Sequence, residues 1–512
     1  MQKDDITKQV AFHPLLERLT KGWRTSHSDV PRDLVYRVAD RLGGVVTKIR
    51  FEDDACEFQL DLSSIRLTGM DDVRCLMLGG EHGDFDEVLL KFLPMAGAAG
   101  RMGFIFTLST STAETVRSLV PANRFLVLDG PGLENLLSNS DPRAALLVKL
   151  RAAIERRRLI AFRIEGPVST HMFHGLANEL SRLDLEETAN FVVSGPSRLG
   201  KSSLLRRFRY VDLPTKNARR ALSTFYIDFY EVRNATDTDV ARFIALKIDG
   251  TSKFAKIEAN RLRSLLTFQR DHWQRPVDLL LDEVDSLIKL ETFQVLGQAA
   301  KDGLCRLVLA GRGELARVTL QQDSPFGCRM DWIQLEALPQ PSAEKLLLGG
   351  LADLGFDCPR TESVMEKASR LTGNLPHLLQ FYGKELAELL IDQGPDSQFV
   401  EEKWLDRVRD LQKTAAYILS PLDDLSGSIR SIAIELSRRA PDRITVPVVR
   451  SLASDLGINL ADQAVLPLCT ELVMCNILAW HERAFRISNE SLRLYARDLG
   501  YLGACATGKA GA

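Results

Sequence analysis

The stretch that decides the fold is Gly195-Pro196-Ser197-Arg198-Leu199-Gly200-Lys201-Ser202, where two glycines bracket four residues before a lysine and a serine. It directly follows the apolar run Phe191 to Val193, which predicts a buried strand, and precedes SSLLRRF, which predicts a helix. A glycine-rich loop between a strand and a helix directs main-chain amides toward an anion at the helix N-terminus. The stretch therefore predicts an anion-binding loop at the edge of an α/β sheet.

The residue types in this loop fit the GxxxxGK[ST] pattern, which binds the phosphates of a nucleotide. Glycine lets the main chain approach phosphate closely, and we expect Lys201 to reach the β- and γ-phosphates. The Ser202 hydroxyl is the expected ligand of Mg²⁺, and the loop as a whole, with Ser203, is expected to bind the nucleotide. The alternative is a glycine loop with an incidental lysine, and the flanking strand and helix weigh against it.

A second buried strand is predicted at Val277 to Glu283, and it ends in two acids, Asp282 and Glu283. A carboxylate at the end of a buried strand costs several kcal/mol unless a cation or a hydrogen-bond donor lies beside it. We therefore expect Asp282 to hold Mg²⁺ and Glu283 to orient or deprotonate the attacking water. The alternative is a helix N-cap formed by Asp282 or Asp285.

Two arginines are candidates for contact with the γ-phosphate. Arg312 follows the predicted strand Arg306 to Ala310, so it can project into the crevice where α/β sheets bind ligands, or it can form a surface salt bridge. Arg329 precedes the predicted strand DWIQL. It is either a finger that completes the site of a neighbouring subunit or a cap on the sheet edge.

The order of apolar and helical patterns predicts four regions. Residues 1–158 contain three β-rich runs, DVRCLML, MGFIFTLS and RFLVLDG, and predict a small α/β domain. Residues 159–340 predict a parallel sheet covered on both faces, and residues 341–415 predict a helical lid. Residues 416–512 predict three helices followed by a hairpin, the element order of a winged helix.

Composition limits the class of protein. The 512 residues favour three or four domains, and a hydrophobic content of 45% excludes collagen-like and wholly disordered chains. Lys plus Arg number 66 against 68 Asp plus Glu, so no overall basic field attracts nucleic acid or an anionic membrane. The first residues, MQKDDITKQ, are charged where a secretory signal is apolar, which favours a cytoplasmic protein without a membrane segment.

The motifs, taken in order, resemble those of an AAA+ ATPase of the origin-recognition-like type, over roughly residues 160–500. They are the phosphate loop, DLLLDEVD, the strand-tip arginine, SPFGCRMDWIQLEAL, a helical lid, TGNLPHLLQ and a terminal winged helix. Within that group they lean toward the STAND signalling ATPases of prokaryotes. The resemblance implies a P-loop NTPase fold with an AAA+-like parallel sheet, ATP and Mg²⁺ as cofactors, and a nucleotide-dependent homo-oligomer.

Two weaker motifs extend the resemblance to the base-binding end. Phe173-His174-Gly175-Leu176 is similar to the start of the family's FxGRxxEL box, which implies that Phe173 and Gly175 line an adenine pocket. Leu176 stands where that box usually has arginine. Gly373-Asn374-Leu375-Pro376 resembles the GxP lid motif, which implies that Pro376 touches the nucleotide, and His377 follows where replication-type relatives have a sensor arginine.

These features predict a slow, Mg²⁺-dependent ATPase that acts as a conformational switch, set by an unidentified protein or nucleic-acid trigger. The first alternative is a replication- or transposition-type ATPase that binds DNA. Against it, the third helix of the predicted winged helix, Ala461 to Met474, has two acids and no Lys or Arg, which leaves only Arg483 and Arg486 in the hairpin for a weak contact.

The second alternative is an ATP-gated nuclease in the N-terminal domain, whose strand order loosely resembles restriction-endonuclease-like folds. Such enzymes need a metal-binding acid followed by (D/E)xK, and the nearest match, Glu57-Phe58-Gln59, lacks the lysine. His82, Asp84 and Asp86 could bind a metal, although solvated loop acids are the more common case.

Overall fold

The computed structural model describes residues 29–52, 55–62, 65, 67, 70, 73–79, 88–89, 91–93, 102–120, 124–164, 168, 172–250, 259–312, 315, 318–319, 324, 326, 330–356, 361–393, 401–408, 418, 422, 425–439, 443–475, 477–488 and 490–498. Arg329 and the predicted loop acids Asp84 and Asp86, with His82, lie outside this part of the chain. Within the described residues, no helix is long and apolar enough to cross a membrane.

The N-terminal region has a five-stranded mixed sheet with the spatial order β1-β2-β3-β4-β5. Its strands are β1 (Val45–Glu52), β2 (Ala55–Asp61), β3 (Val73–Leu78), β4 (Gly103–Thr107) and β5 (Phe125–Leu128). The first three pair antiparallel and the last three pair parallel. The three predicted apolar runs form β3, β4 and β5. The β1–β2 hairpin was not predicted, because β1 is an edge strand with exposed Lys48 and Arg50 rather than an apolar run.

The helices that the structure describes beside this sheet include α1 (Asp29–Arg41), α2 (Thr110–Leu119), α3 (Gly130–Ser138), α4 (Pro142–Ala153) and α5 (Arg156–Leu159). Local sequence sets two of their starts. Asp129 accepts the main-chain N–H of Gly132 at 2.8 Å, and Asp141 accepts that of Ala144 at 2.9 Å. Each of these two helices also has a proline in its first turn, where no main-chain N–H is needed.

The second sheet is entirely parallel, with the spatial order β10-β6-β9-β8-β7. Its strands are β6 (Asn190–Ser194), β7 (Thr224–Asp228), β8 (Val277–Asp282), β9 (Cys305–Gly311) and β10 (Met330–Gln334). Around it lie α6 (Ala177–Leu185), α7 (Lys201–Arg207), a π-helical turn (Phe208–Asp212), α8 (Leu213–Lys216), α9 (Ala218–Leu222), a 3₁₀ turn (Tyr230–Val232), α10 (Asp237–Asp249), α11 (Ala259–Trp273) and α12 (Glu291–Lys301). The predicted parallel sheet is confirmed.

Both faces of this sheet are buried, as the near-continuous apolar strands predicted. Leu280 of β8 points to a hydrophobic cluster that includes helix α7 and the C-terminal helices. Its neighbours Leu279 and Leu281 point to a second cluster that includes α10, α11 and α12. Alternation along each strand thus divides the side chains between two cores.

Helices follow the second sheet: α13 (Gln340–Asp353), α14 (Thr361–Thr372), α15 (Pro376–Gln393), α16 (Glu401–Val408), α17 (Gly427–Arg439), α18 (Val446–Asp455) and α19 (Asp462–Met474). An antiparallel hairpin, β11 (Leu478–His481) and β12 (Ala484–Ile487), comes next, and α20 (Glu490–Asp498) ends the described chain. The two hairpin turn residues, Glu482 and Arg483, both have positive φ, as a tight two-residue turn requires. The identification of this region as a winged helix stays a prediction.

The short segment that connects the N-terminal region to the second sheet is inserted into the helical lid. We call residues 160–164 the strap. Phe162 of the strap is buried between α13 and α15, where both helices have a glycine. A Cβ atom built on Gly350 would be 2.7 Å from the Phe162 ring, and one on Gly383 would be 2.5 Å from it. The two glycines therefore form a slot that fits the ring.

The same hydrophobic cluster runs from the N-terminal sheet through Phe162 into α13, α14 and α15. Polar contacts follow this connection: Arg151 donates to the main-chain oxygens of Ala352 and Asp353 at 2.8 and 3.0 Å, and Arg157 pairs with Asp392. The N-terminal region is thus packed on the lid through one shared core.

Gly383→Ala tests the slot. Alanine in a helix interior is normally about 1 kcal/mol more favourable than glycine. Here the added methyl group meets the Phe162 ring, so we expect the free energy of unfolding to fall by about 1–3 kcal/mol in denaturant titrations. Gly427→Ala is the control, because no atom lies within 4 Å of its added carbon. Phe162→Leu in the Gly383→Ala background should recover part of the loss, and a stabilised Gly383→Ala protein would contradict the slot.

Candidate nucleotide-binding site

The phosphate loop connects β6 to α7 at the carboxyl edge of the second sheet. Gly200 has a φ of +99°, and a Cβ atom built on it would meet no atom within 4 Å, so the space in front of the loop is open. The Lys201 side chain is only 6% exposed. Its ammonium donates to the main-chain oxygens of Gly195 at 2.7 Å and Pro196 at 2.9 Å. The loop therefore holds a buried positive charge at the place where phosphate is expected.

Asp282 ends β8 and is fully buried behind this loop. Its Oδ1 accepts the main-chain N–H of Glu283 at 3.0 Å, and its Oδ2 accepts the Tyr226 hydroxyl at 2.8 Å. The Ser202 side chain interacts with this carboxylate as well. Burial raises the pKa of Asp282, and the interactions with Ser202 and Tyr226 oppose that rise. A hydroxyl and a carboxylate in contact are hard oxygen ligands of the kind that Mg²⁺ binds.

Glu283 has a φ of +57°, which turns its side chain away from the strand direction. The Arg312 guanidinium lies 3.7 Å from its carboxylate. Burial raises the pKa of Glu283, and the positive charge of Arg312 lowers it. The predicted base Glu283 and the predicted γ-phosphate ligand Arg312 thus form an ion pair with each other.

Asp285 has a structural role that differs from the helix N-cap considered in the sequence. Its carboxylate accepts the main-chain N–H of Arg312 at 2.8 Å and that of Leu315 at 3.1 Å. These bonds hold the chain where it leaves β9, and they leave no room for a side chain at Gly311, whose Cβ would be 2.7 Å from Asp285. Asp285 therefore fixes the main chain of Arg312.

A cavity of about 660 Å³ joins the phosphate loop to the strap and the lid. The volume lies in the range of small-molecule sites. Its walls include the loop from Ser197 to Ser203, the acids Asp228 and Glu283, the apolar Ile164, Met172, Leu338 and Leu346, and the lid residues Pro376, His377 and Gln380. The lining combines charged groups with apolar side chains, as the phosphates and the base of a nucleotide require.

Residues from the two weaker motifs also belong to this site. Phe173, Leu176 and Pro376 line the cavity. Gly175 has a φ of +75°, and a Cβ atom there would be 2.9 Å from Leu338, a cavity residue. Ser203 also lines the cavity, and its hydroxyl accepts the main-chain N–H of Val168 at 3.2 Å. Ser203 thus ties the segment after the strap to helix α7.

Several cavity residues were missed in the sequence. Asp228 ends β7 beside Asp282 in the parallel register, and the rule used for Asp282, an acid at a strand end, would have found it. Gln380 lies one helical turn after Pro376 on α15, and its Oε1 accepts the main-chain N–H of Arg163 at 3.0 Å. That contact joins residues far apart in the chain, so local sequence gives no signal for it.

The N-terminal sheet places the predicted nuclease acid in an ion pair. The Glu57 carboxylate of β2 lies 3.3 Å from the Arg74 guanidinium of β3. Among the residues that the structure describes, no group of three His, Cys, Asp or Glu side chains could hold a metal ion.

No protein-family model and no curated protein matches the chain. Among solved structures, it resembles the Walker-type ATPase PABY2304 of Pyrococcus abyssi, at 16% identity over 66% of this chain and 99% of that one, with a TM-score of 0.47. It also resembles the ORC2 protein of Aeropyrum pernix, at 15% identity over 65% and 93%, with a TM-score of 0.44. The RuvB branch migration motor of Thermotoga maritima is 15% identical over 66% and 100%, with a TM-score of 0.36.

These are likenesses of fold at low sequence identity. The chain's own strand order, phosphate loop and helices give an α/β fold with a parallel sheet and a P-loop.

Lys201→Ala tests the phosphate loop. Because the Lys201 ammonium is a buried positive charge within the loop, we expect nucleotide affinity to fall at least tenfold in fluorescence titrations with ATP and with ADP. Lys301→Ala is the control, since that lysine is exposed at the end of α12. Unchanged ATP affinity in Lys201→Ala would contradict the assignment of the loop.

Proposed function

We propose that the chain is a Mg²⁺-dependent, ATP-binding P-loop ATPase that acts as a nucleotide-controlled signalling switch of the STAND-like kind. The observation that carries the proposal is that the phosphate loop, the lid and the strap all line the same cavity. A ligand in this cavity contacts parts of the protein that belong to different hydrophobic clusters. The presence or absence of the γ-phosphate on a bound nucleotide can therefore change how these parts are held together.

The phosphate end supplies the groups needed for hydrolysis. Lys201 neutralises phosphate charge, and Ser202 with Asp282 would hold Mg²⁺, which supplies further neutralisation when bound. Glu283 orients or deprotonates the attacking water, and Arg312 stabilises the charge on the γ-phosphate. In the present arrangement Glu283 and Arg312 are 3.7 Å apart, and their pairing must loosen before either acts on the nucleotide. This requirement supports slow turnover.

The lid helix α15 and the strap transmit the signal to the N-terminal region. Helix α15 begins at Pro376, contacts the strap through Gln380 and holds Phe162 against Gly383. A shift of α15 toward or away from the phosphate loop therefore moves the strap with it. Since the strap continues into the core of the N-terminal region, the proposed direction of the signal is from γ-phosphate to lid to N-terminal region.

Assembly in the ATP state is the first test. Glu283→Gln removes the base while preserving side-chain shape, so it should retain ATP without hydrolysing it. We expect size-exclusion chromatography with light scattering to show a larger mass for this variant with ATP and Mg²⁺ than with ADP. Glu231→Gln, which changes an exposed acid near the cavity, is the control and should hydrolyse ATP as the wild type does. Hydrolysis at the wild-type rate in Glu283→Gln would refute the catalytic assignment, and a monomer in every state would refute the homo-oligomer.

Hydrogen exchange tests the route through the strap. In the Glu283→Gln protein, ATP with Mg²⁺ should change the exchange rate of peptides from 156–164 and 376–393 relative to ADP, because the Arg163 amide bonds to Gln380 of the lid. Helix α11 belongs to a different hydrophobic cluster and supplies none of the described cavity-lining residues, so its peptides serve as the internal reference. Equal exchange of the strap and lid in both nucleotide states would argue against the switch.

A further inference from the structure

Tyr226 lies on β7, directly beside the strand that ends in Asp282. The register pairs Tyr226 with Leu280 and Asp228 with Asp282, so the tyrosine side chain lies two residues before the strand end. Its hydroxyl reaches across to the Asp282 Oδ2 at 2.8 Å. The residue is half-buried and is not itself a wall of the nucleotide cavity.

Two donors hold the Asp282 carboxylate, and a third side chain interacts with it. The Glu283 amide donates to Oδ1 from the strand end, Tyr226 donates to Oδ2 from β7, and Ser202 of α7 lowers the pKa of the carboxylate. A fully buried carboxylate needs such donors, and a bond from a hydroxyl to a charged oxygen is among the stronger ones. Of these, the Tyr226 bond is the one that reaches the carboxylate from the neighbouring strand.

We propose that Tyr226 is a positioning residue for the divalent cation of the nucleotide site. Its hydroxyl fixes the orientation of the Asp282 carboxylate, so that the carboxylate and the Ser202 hydroxyl present their oxygens to one ion. The proposal rests on the proposed function, because the ion enters together with the nucleotide. Residues behind a metal ligand commonly set metal affinity in this way.

The tyrosine ring has separate contacts, which allow the hydroxyl to be tested alone. The ring centroid lies 6.3 Å from that of Tyr210 in an edge-on arrangement, and the Arg206 guanidinium lies 5.9 Å above it. Tyr226→Phe keeps these ring contacts and removes only the hydrogen bond. Tyr210→Phe is the matched control, because it removes a hydroxyl from the adjacent, largely exposed ring.

The experiment is a Mn²⁺ titration of the full chain with bound ADP, followed by electron paramagnetic resonance. We expect Tyr226→Phe to weaken Mn²⁺ binding about tenfold, while ADP affinity in EDTA stays within about twofold of wild type. Tyr210→Phe should match wild type in both measurements. A Tyr226→Phe protein with wild-type Mn²⁺ affinity overturns the proposal.

A double-mutant cycle with Asp282→Asn separates positioning from general packing. If the hydroxyl acts through the carboxylate, Tyr226→Phe should change Mn²⁺ binding little further in the Asp282→Asn protein. An equal loss in both backgrounds overturns the proposal, and thermal unfolding of each variant checks that it is folded. Failure of the wild type to bind ADP at all would instead overturn the proposed function, so the two failures can be told apart.

Discussion

The Lys201 ammonium is buried at the carboxyl edge of the parallel sheet, and a buried cation must have acceptors within hydrogen-bond reach. The loop meets this need by turning the carbonyls of Gly195 and Pro196 back toward its own lysine. This curvature depends on the left-handed conformation at Gly200 and leaves open space in front of that residue. One buried charge thus explains the shape of the loop and the position of the cavity beside it.

Two adjacent acids near this lysine lie in different environments. Asp282 is held by its neighbours behind the loop, whereas Glu283 is turned outward by its positive φ and meets Arg312. The buried acid is therefore held by fixed donors, whereas the outer acid pairs with an arginine that also lines the cavity. This difference between two adjacent carboxylates fits a division of labour in which one holds a metal ion and the other takes part in chemistry.

The sequence predicted the features that are formed by contiguous residues, and it missed contacts between residues that are far apart in the chain. The phosphate loop, the apolar strands and the acids at the end of β8 are contiguous patterns, and the structure brings them to one edge of a sheet. Tyr226 and Gln380 act across strands or between a helix and the strap, so their contacts depend on the tertiary fold. The β1–β2 hairpin was missed for a different reason, since a solvent-facing edge strand lacks the apolar run that reveals a buried one. The position of Phe162 in the lid also depends on two glycines far along the chain.

The slot around Phe162 also bears on how the chain folds during synthesis. The N-terminal sheet is made first, yet its hydrophobic cluster includes α13, α14 and α15, which follow the whole second sheet in the chain. The core of the N-terminal region is therefore completed late, after the ribosome has made the segment that separates its two parts. Until then Phe162 and the apolar surface around it have no lid to cover them, and the nascent chain exposes a surface that a chaperone would recognise.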